Sequence, residues 1–540
     1  MARQKIINSV VGGYNTSNIA KVCKSTSVNL YFERQDANEA SSPAILRSIQ
    51  GTSVALNMPE KNCRGMYRVS RGRNGYPVLY AVYGTHCYLI TEYNGSLNAS
   101  EIGTVSGAIT EPVSMCETGG YGDAHPHLIV ADGAQLFAVD TTLTSAEQRA
   151  DWKAIALPQK AGSTTEPIHP THVAYLYGYL AVLDGGSDAF YLSVQYPFEE
   201  QIYGDDIFGL EDHEVPEVEN GDGTVIPTYT IKGNVKGNAV YSEWSADTTR
   251  GLWKCGSFLY TFGDRSFQCF SYHDDVNYPF QSPDSAAMAI GIRAPRSAAM
   301  VGNQIFWLGA SDIGQNGIFV AEGTNVKRVS TSDIEREIDN FAAPEDAVAQ
   351  VWQEAKHVFY AITFRMANRT LVYDVTEGVW SIRSSFDTSM PDNEGHWRPQ
   401  FATLAYNKLM FGTLNDNKLI YLDANKWTEY DGLPIVRKRR SGAIIDGWTP
   451  FYCDSVKLIS NCGQVGDGLT PRVSLRYSWD GMTWLDQEIG TAGQTGRYDW
   501  NLQWWQLGMG NILMLEFSSS DPWDFSIISA KIQGEPCNIL

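Results

Sequence analysis

Residues 303 to 323 read NQIFWLGASDIGQNGIFVAEG, two apolar runs on either side of a segment of Ser, Asp, Gly and Asn. Side chains along a strand alternate between faces, so Phe306 and Leu308 point one way and Ile305 and Trp307 the other. Both faces are apolar, which predicts a strand held between two other sheets. The same strand, turn, strand arrangement returns as YPVLYAVYGTHCYLI from Tyr76, HLIVADGAQLFAVD from His127 and HVAYLYGYLAVLDGGSDAFYLS from His172. It comes again as LWKCGSFLYTFGDRSFQCF from Leu252, HVFYAITFRMANRTLVYDV from His357 and ATLAYNKLMFGTLNDNKLIYLD from Ala402, seven copies with the opening stretch.

The copies start about 45 to 55 residues apart, except that the third and fourth are separated by about 80, the surplus being an acidic loop. Such a period in apolar hairpins predicts four-stranded blades that bury their faces against their neighbours and close into a ring without exposed edges. After Asp423 the pattern changes, through VRKRRSG, to the strands FYCDSVKLI, RVSLRYSW, ILMLEFSSS and FSIISAKIQ, with the Trp-rich NLQWW among them. The expected fold is all-β: a β-propeller of about seven blades followed by a small C-terminal β-sandwich. Residues 1–60 form an N-terminal arm and first strands, 61–430 the propeller with an acidic insertion at about 195–245, and 431–540 the sandwich. A pair of stacked β-sandwiches would give similar strand spacing and stands as the alternative. One segment reads as a helix, SDIEREIDNF from Ser332. Ser332 and Glu335 are spaced as a capping box, and Ile334, Ile338 and Phe341 form one apolar stripe.

A 540-residue chain with 43% apolar and 12% aromatic residues can bury a large core. The N-terminus MARQKIINSVVGGYN lacks a signal-peptide apolar stretch and no 18 apolar residues run together, so no membrane span and synthesis in the cytosol are expected. Cysteines at 23, 63, 87, 116, 255, 269, 453, 462 and 537 are odd in number and form no C-x-x-C pair, which reads as buried thiols. Cys453 and Cys462 are the one pair considered for a disulfide after release from the cell. A net charge of -20 disfavours wrapping of nucleic acid, which needs clustered cations to displace counterions.

Candidate chemistry is sparse. His125 and His127 would share a strand face and could begin a metal site with His169 and His172, but no carboxylate or cysteine at fixed spacing completes the shell. The loop from Glu199 to Asp222 is rich in acids, including Asp205, Asp206, Glu211 and Asp212, yet has no EF-hand spacing and reads as a solvated insertion. Ser478 to Trp484, SWDGMTW, is compared with the Asp-box of sialidases, but occurs once and is one residue short; a type I′ hairpin turn at Asp480-Gly481 is the plainer reading. No nucleophile elbow, phosphate loop, zinc-protease or dinucleotide motif is found, so neither catalysis nor a cofactor is expected. The cluster Arg437, Lys438, Arg439 and Arg440 stands at the join of the two expected domains. A run of charge is ordinarily a solvated face, and the sharper reading is docking to an acidic protein neighbour.

VNLYFE (Val28 to Glu33) and ILRSIQGT (Ile45 to Thr52) resemble the opening of the packaged-DNA stabilisation proteins, the tail hub proteins of short-tailed bacteriophages. Phe32 and Gln50 stand where that family commonly has proline. The resemblance continues in order with GSFLYTFGDRSFQCFSY, STSDIEREIDNF, TLVYDVTEGVWSI and RVSLRYSWDGMTW. It implies a structural virion protein of the tail, a β-propeller subunit of a hexameric ring below the portal and its adaptor. That ring continues the DNA channel, closes it with a tail needle or nozzle, retains the packaged DNA and anchors tail fibres or spikes. DNA would pass without sequence-specific contacts, and no catalytic residue comes with the resemblance. Trp500, Trp504 and Trp505 are candidates for ring contacts or for sandwich core. The alternative function is a phage-tail propeller glycosidase, which would need an arginine-lined central pocket with paired acids, or a glycan-binding receptor protein, which would bind sugar saturably as a lone monomer.

Overall fold

The computed structural model describes residues 3–6, 10–16, 24–36, 42–119, 125–160, 162–163, 165–195, 206–215, 218–219, 225–226, 228–242, 247–275, 278–283, 287–311, 316–445, 449–466 and 468–537. The fold is all-β. Its main body is a succession of seven antiparallel sheets, and each of the seven apolar hairpin stretches lies in one of them. The first comprises Cys63–Val69, Val78–Tyr83, His86–Tyr93 and Ser96–Thr104; the second Ser114–Glu117, His127–Ala131, Leu136–Asp140 and Lys153–Ala154. The third holds Pro170–Leu176, Tyr179–Asp184, Ala189–Leu192 and Asn238–Tyr241. In the fourth, Thr249–Cys255, Phe258–Gly263 and Phe267–Tyr272 are followed by two short pieces, Phe280–Gln281 and Ala287–Met288. The fifth begins with Ile290–Ile292 and Ala299–Val301, which pair with the two ends of the next strand, Gln304–Ser311, and continues with Asn316–Glu322 and Asn325–Arg328. The sixth is Val348–Glu354, His357–Phe364, Arg369–Asp374 and Val379–Phe386. The seventh takes Pro399–Ala405, Lys408–Thr413 and Lys418–Asp423 from late in the chain and its last strand, Gly51–Asn57, from near the start.

Each sheet is apolar on both faces because each faces two neighbours. Ile305 and Trp307 pack with Tyr260 and Phe262 of the fourth sheet, whereas Phe306 and Leu308 pack with Tyr360 and Ile362 of the sixth. The strand alternation read from the sequence is therefore the packing found. Equivalent clusters join first to second sheet (Val82 with Val130), second to third (Ile129 with Val182), third to fourth (Leu183 with Leu259) and sixth to seventh (Phe359 with Phe411). Met410 and Leu419 of the seventh pack on Leu79 and Tyr83 of the first, so the circuit returns to its beginning. Tight turns between these strands need left-handed backbone, supplied by Gly256 (φ 60°) and Gly302 (φ 59°).

The N-terminal segments do not stand apart. Leu30–Arg34, Ala44–Ser48 and Arg3–Ile6 join one sheet with Phe451–Ser460, Leu502–Gly510 and Ile527–Pro536. Opposite it, Arg437–Arg440, Ile512–Ser519 and Arg472–Ser478 form a second sheet, and Lys24–Val28 connects it to Val379–Phe386 of the sixth sheet. One core lies between the two, with Leu30 and Leu46 from the N-terminal strands beside Val456, Leu475, Leu515, Phe517 and Trp523.

The expected helix is present as Ser332–Asp339, with Ile334 and Ile338 buried and Phe341 packed beside them. Its cap is Thr331 rather than Ser332: the Thr331 hydroxyl accepts from Ile334 N, while the Ser330 hydroxyl donates to Glu335. A helix not expected from the sequence, Ser145–Asp151, opens on a capping box of Thr144 and Glu147. The Tyr80 hydroxyl is bonded to its buried Gln148. Cys453 and Cys462 are free buried thiols, and Cys23 lies outside the described residues.

Candidate functional site

The docking role expected of Arg437, Lys438, Arg439 and Arg440 requires exposed side chains, and the structure turns them inward instead. They form a strand between Lys24–Val28 and Ile512–Ser519. Arg437 is fully buried, donating to the carbonyls of Ile435, Trp427 and Asp521, and burial pushes its guanidinium down to about 10. Arg439 is 1% exposed and donates to the carbonyls of Val10 and Gly13. Lys438 pairs with Asp392 at 3.0 Å and with Glu394. Arg440 is bonded to the buried Glu516 (Nε to Oε2, 2.8 Å) and lies over the Trp484 ring. Buried cations persist only with partners. Here the partners are the N-terminal arm, the hairpin after the sixth sheet and the C-terminal strands, so the tetrad fastens three parts of the chain together.

The histidines do not converge. His125 Nδ1 lies 2.7 Å from Asp140, His127 Nδ1 lies 3.0 Å from the His125 carbonyl, and buried His172 packs 4.5 Å from the Trp253 ring. Among the described residues there is no group of three or more side chains arranged to hold a metal. In the acidic insertion, Asp205 lies outside the described residues, while Asp206 accepts from Glu211 N and lies 2.9 Å from His213 Nε2. Asp480 caps its own turn, accepting from Met482 N and Thr483 N, and these bonds hold its carboxyl well below the usual range. Gly481 has φ 77°, but Asp480 is not left-handed, so the turn is an Asp-capped one and not type I′.

A group of arginines that no local motif marked gathers where the leading strands of several sheets converge. Three consecutive carbonyls of the loop joining the first and second sheets accept from it: Thr110 from Arg365 Nη1 (2.9 Å), Glu111 from Arg64 Nε (2.8 Å) and Pro112 from Arg296 Nη2 (2.9 Å). Arg296 also donates to Thr171, and Arg365 to Gln400. Arg64 stands in the first sheet, Arg296 between the two opening pieces of the fifth, and Arg365 just after the second strand of the sixth. Arg64 is more than 200 residues from Arg296, which is itself 69 from Arg365, and only the circular packing unites them.

The aromatic candidates divide. Trp504 is 4% exposed, with its indole N–H on the Glu488 carbonyl, and belongs to the core. Trp505 on the same strand is 59% exposed and Met509 65%, so this outer face is apolar and open.

Stacked four-stranded sheets, each buried between two others, define a protein of the β-propeller class. Within the chain, residues 222–426 match the family model described as Bacteriophage P22 Gp10, beta-propeller. The match runs from the acidic insertion through the fourth, fifth and sixth sheets and into the seventh, and it is the family that the sequence motifs resemble. No curated protein matches. Similar solved structures include a putative 6-phosphogluconolactonase from Bacteroides fragilis, at 11% identity and TM-score 0.33 over 68% of this chain and 95% of that one. Another is the β-propeller domain of Cps50 (Swd1) from Myceliophteria thermophila, at 8% identity and TM-score 0.36 over 69% and 99%.

Proposed function

We propose that this chain is a structural virion protein of a short-tailed bacteriophage: a subunit of the tail hub ring below the portal and adaptor, built as a seven-bladed propeller with a C-terminal β-sandwich. The observation that carries the reading is the family match over residues 222–426. The circuit of packed sheets supports the blade count, and the single core between the two terminal sheets supports the sandwich.

As a hub subunit the protein works by shape and charge, without catalysis. Six copies at -20 each carry -120, and an acidic channel wall lets DNA slide, because no clustered cations displace its counterions. The cations at the domain join are taken up inside the chain, which leaves the acidic residues to dominate the outer field. Permanent ring contacts commonly bury more than about 2,000 Å² and are anchored by aromatics, and the open face carrying Trp505 and Met509 is a suitable anchor. Portal or adaptor, tail needle or nozzle, and fibres or spikes are the partners this role requires.

Cryo-electron microscopy of the assembled particle tests the reading. Density for this chain in a ring between adaptor and needle is expected; density at a fibre tip, or turnover of labelled glycans by the purified chain, would overturn it.

A further inference from the structure

Consecutive residues are about 3.8 Å apart, so guanidinium groups bonded to the carbonyls of Thr110, Glu111 and Pro112 lie within roughly 10 Å of one another. Backbone carbonyls answer their hydrogen-bonding needs without cancelling their charge. Among the described residues, Arg383, Arg369, Arg398 and Arg440 each pair with a carboxylate, whereas Arg64, Arg296 and Arg365 have none within ion-pair distance. Three nearby acids act on these cations from beyond ion-pair distance, and Asp346 keeps a buried Oδ1 without a partner. Asp132 accepts from Ser106, Ala134 and Gln135, Asp346 accepts from Met366 N, and the Glu111 side chain is exposed. Burial pushes Arg296 down to about 10; the Glu111 carboxylate acts against this, and the charges of Arg64 and Arg365 add to the lowering.

Two arginine donors at this place are left over, and the Gln400 amide beside Arg365 adds a third donor. Arg64 is 1% exposed, and its Nη2 is buried with no acceptor; Arg365 Nε is buried and unpaired as well. A buried donor without an acceptor is costly, and more so on a charged group. A compact anion with several oxygens would satisfy both arginine donors and offset the mutual repulsion of the cations, in surroundings where low dielectric strengthens charge-assisted bonds.

We propose that the convergence of the leading strands holds a small oxyanion, phosphate or sulfate, bound by Arg64, Arg296 and Arg365. Arg64, 1% exposed, lies too deep for the phosphodiester backbone of a polymer, so the proposed ligand is a free ion. In this role the ion is a structural tie between the first, fifth and sixth sheets, and the site is independent of whether the chain assembles into a ring.

The test uses the full chain, with thermal unfolding and titration calorimetry in sodium phosphate, sodium chloride and a short single-stranded oligonucleotide at matched ionic strength. Phosphate is expected to bind saturably and raise Tm, with chloride and the oligonucleotide giving no such response. Arg365→Gln should weaken phosphate binding about tenfold or more, and Arg296→Lys should weaken it as well, since a point charge replaces a planar fork. The wild-type titration decides alone if the variants do not fold. Absence of saturable phosphate binding, an unchanged affinity in a folded variant, or equal binding of the oligonucleotide would each overturn the proposal.

Discussion

The Ser53 hydroxyl donates to the Asp423 carboxylate at 2.7 Å, although the two residues are 370 positions apart in sequence. Around this bond Gly51–Asn57 pairs with Lys418–Asp423, and Gly51 N donates to the Lys426 carbonyl. The seventh sheet is thus completed by the beginning of the chain. A circuit closed in this way cannot be formed by neighbouring segments alone, so the N-terminal strands belong to the cooperative unit.

Deleting residues 1–57 is therefore expected to abolish cooperative unfolding. It removes the last strand of the seventh sheet and also the strand linking the sixth sheet to the C-terminal sheets. Differential scanning calorimetry checks this; a sharp transition within a few degrees of the intact chain would contradict it. The milder Ser53→Ala change should cost about 1 kcal/mol, the worth of one hydrogen bond to a charged acceptor that can be partly replaced by water.

Replacing the basic tetrad should damage the fold before any assembly. Arg440→Gln leaves Glu516, 2% exposed on its side chain, with only the partly exposed Arg476, and is expected to cost about 3 kcal/mol. Arg437→Ala leaves the carbonyls of Ile435, Trp427 and Asp521 without this donor and should cost about 2 to 4 kcal/mol. Chemical denaturation measures both. A folded, equally stable variant that fails only in binding would restore the tetrad as a docking patch.

Stability should fall as pH drops below 6.5. Burial, followed by the Arg296 charge, holds His172 well below its ordinary 6.5, and burial with Arg365 lowers His396 similarly. Below 6.5 the unfolded chain binds protons that the folded chain refuses, so stability declines with a slope approaching about 1.4 kcal/mol per pH unit for each histidine. The decline continues until the folded pKa is reached. His172→Gln should flatten the Tm profile between pH 6.5 and 5; an unchanged slope would contradict the assignment.

Two adjacent tryptophans should behave oppositely. Trp504→Ala opens a cavity in the terminal core and is expected to cost about 3 to 5 kcal/mol. Trp505→Ser should change monomer stability by no more than about 0.5 kcal/mol, yet reduce the population of assembled rings. Denaturation and sedimentation velocity separate the two effects. Unaltered assembly of the Trp505 variant would remove this face from the ring contacts.

The seven hairpins were legible because each strand buries both faces, and an uninterrupted apolar alternation such as that of Ile305 to Leu308 records this directly in the sequence. Closure was not legible, since nothing local in GTSVALN distinguishes a strand that pairs with Lys418–Asp423 from the start of an arm. The helix at Ser145 escaped attention although Thr144 and Glu147 spell its capping box, because it lacks an apolar stripe. Charge patterning misled at Arg437 to Arg440: four cations in a row look solvated, and only tertiary structure supplies the carbonyls and carboxylates that let them be buried. The central arginines carry no local signal, being single residues on three sheets.

The account rests most on self-assembly into a hub. Mass photometry of the intact chain with the portal and adaptor proteins proposed as its partners tests it most directly. A closed ring of identical 59.9 kDa subunits, six to the complex and about 360 kDa in added mass, is the predicted result. A chain that remains a monomer in the presence of those partners would contradict it.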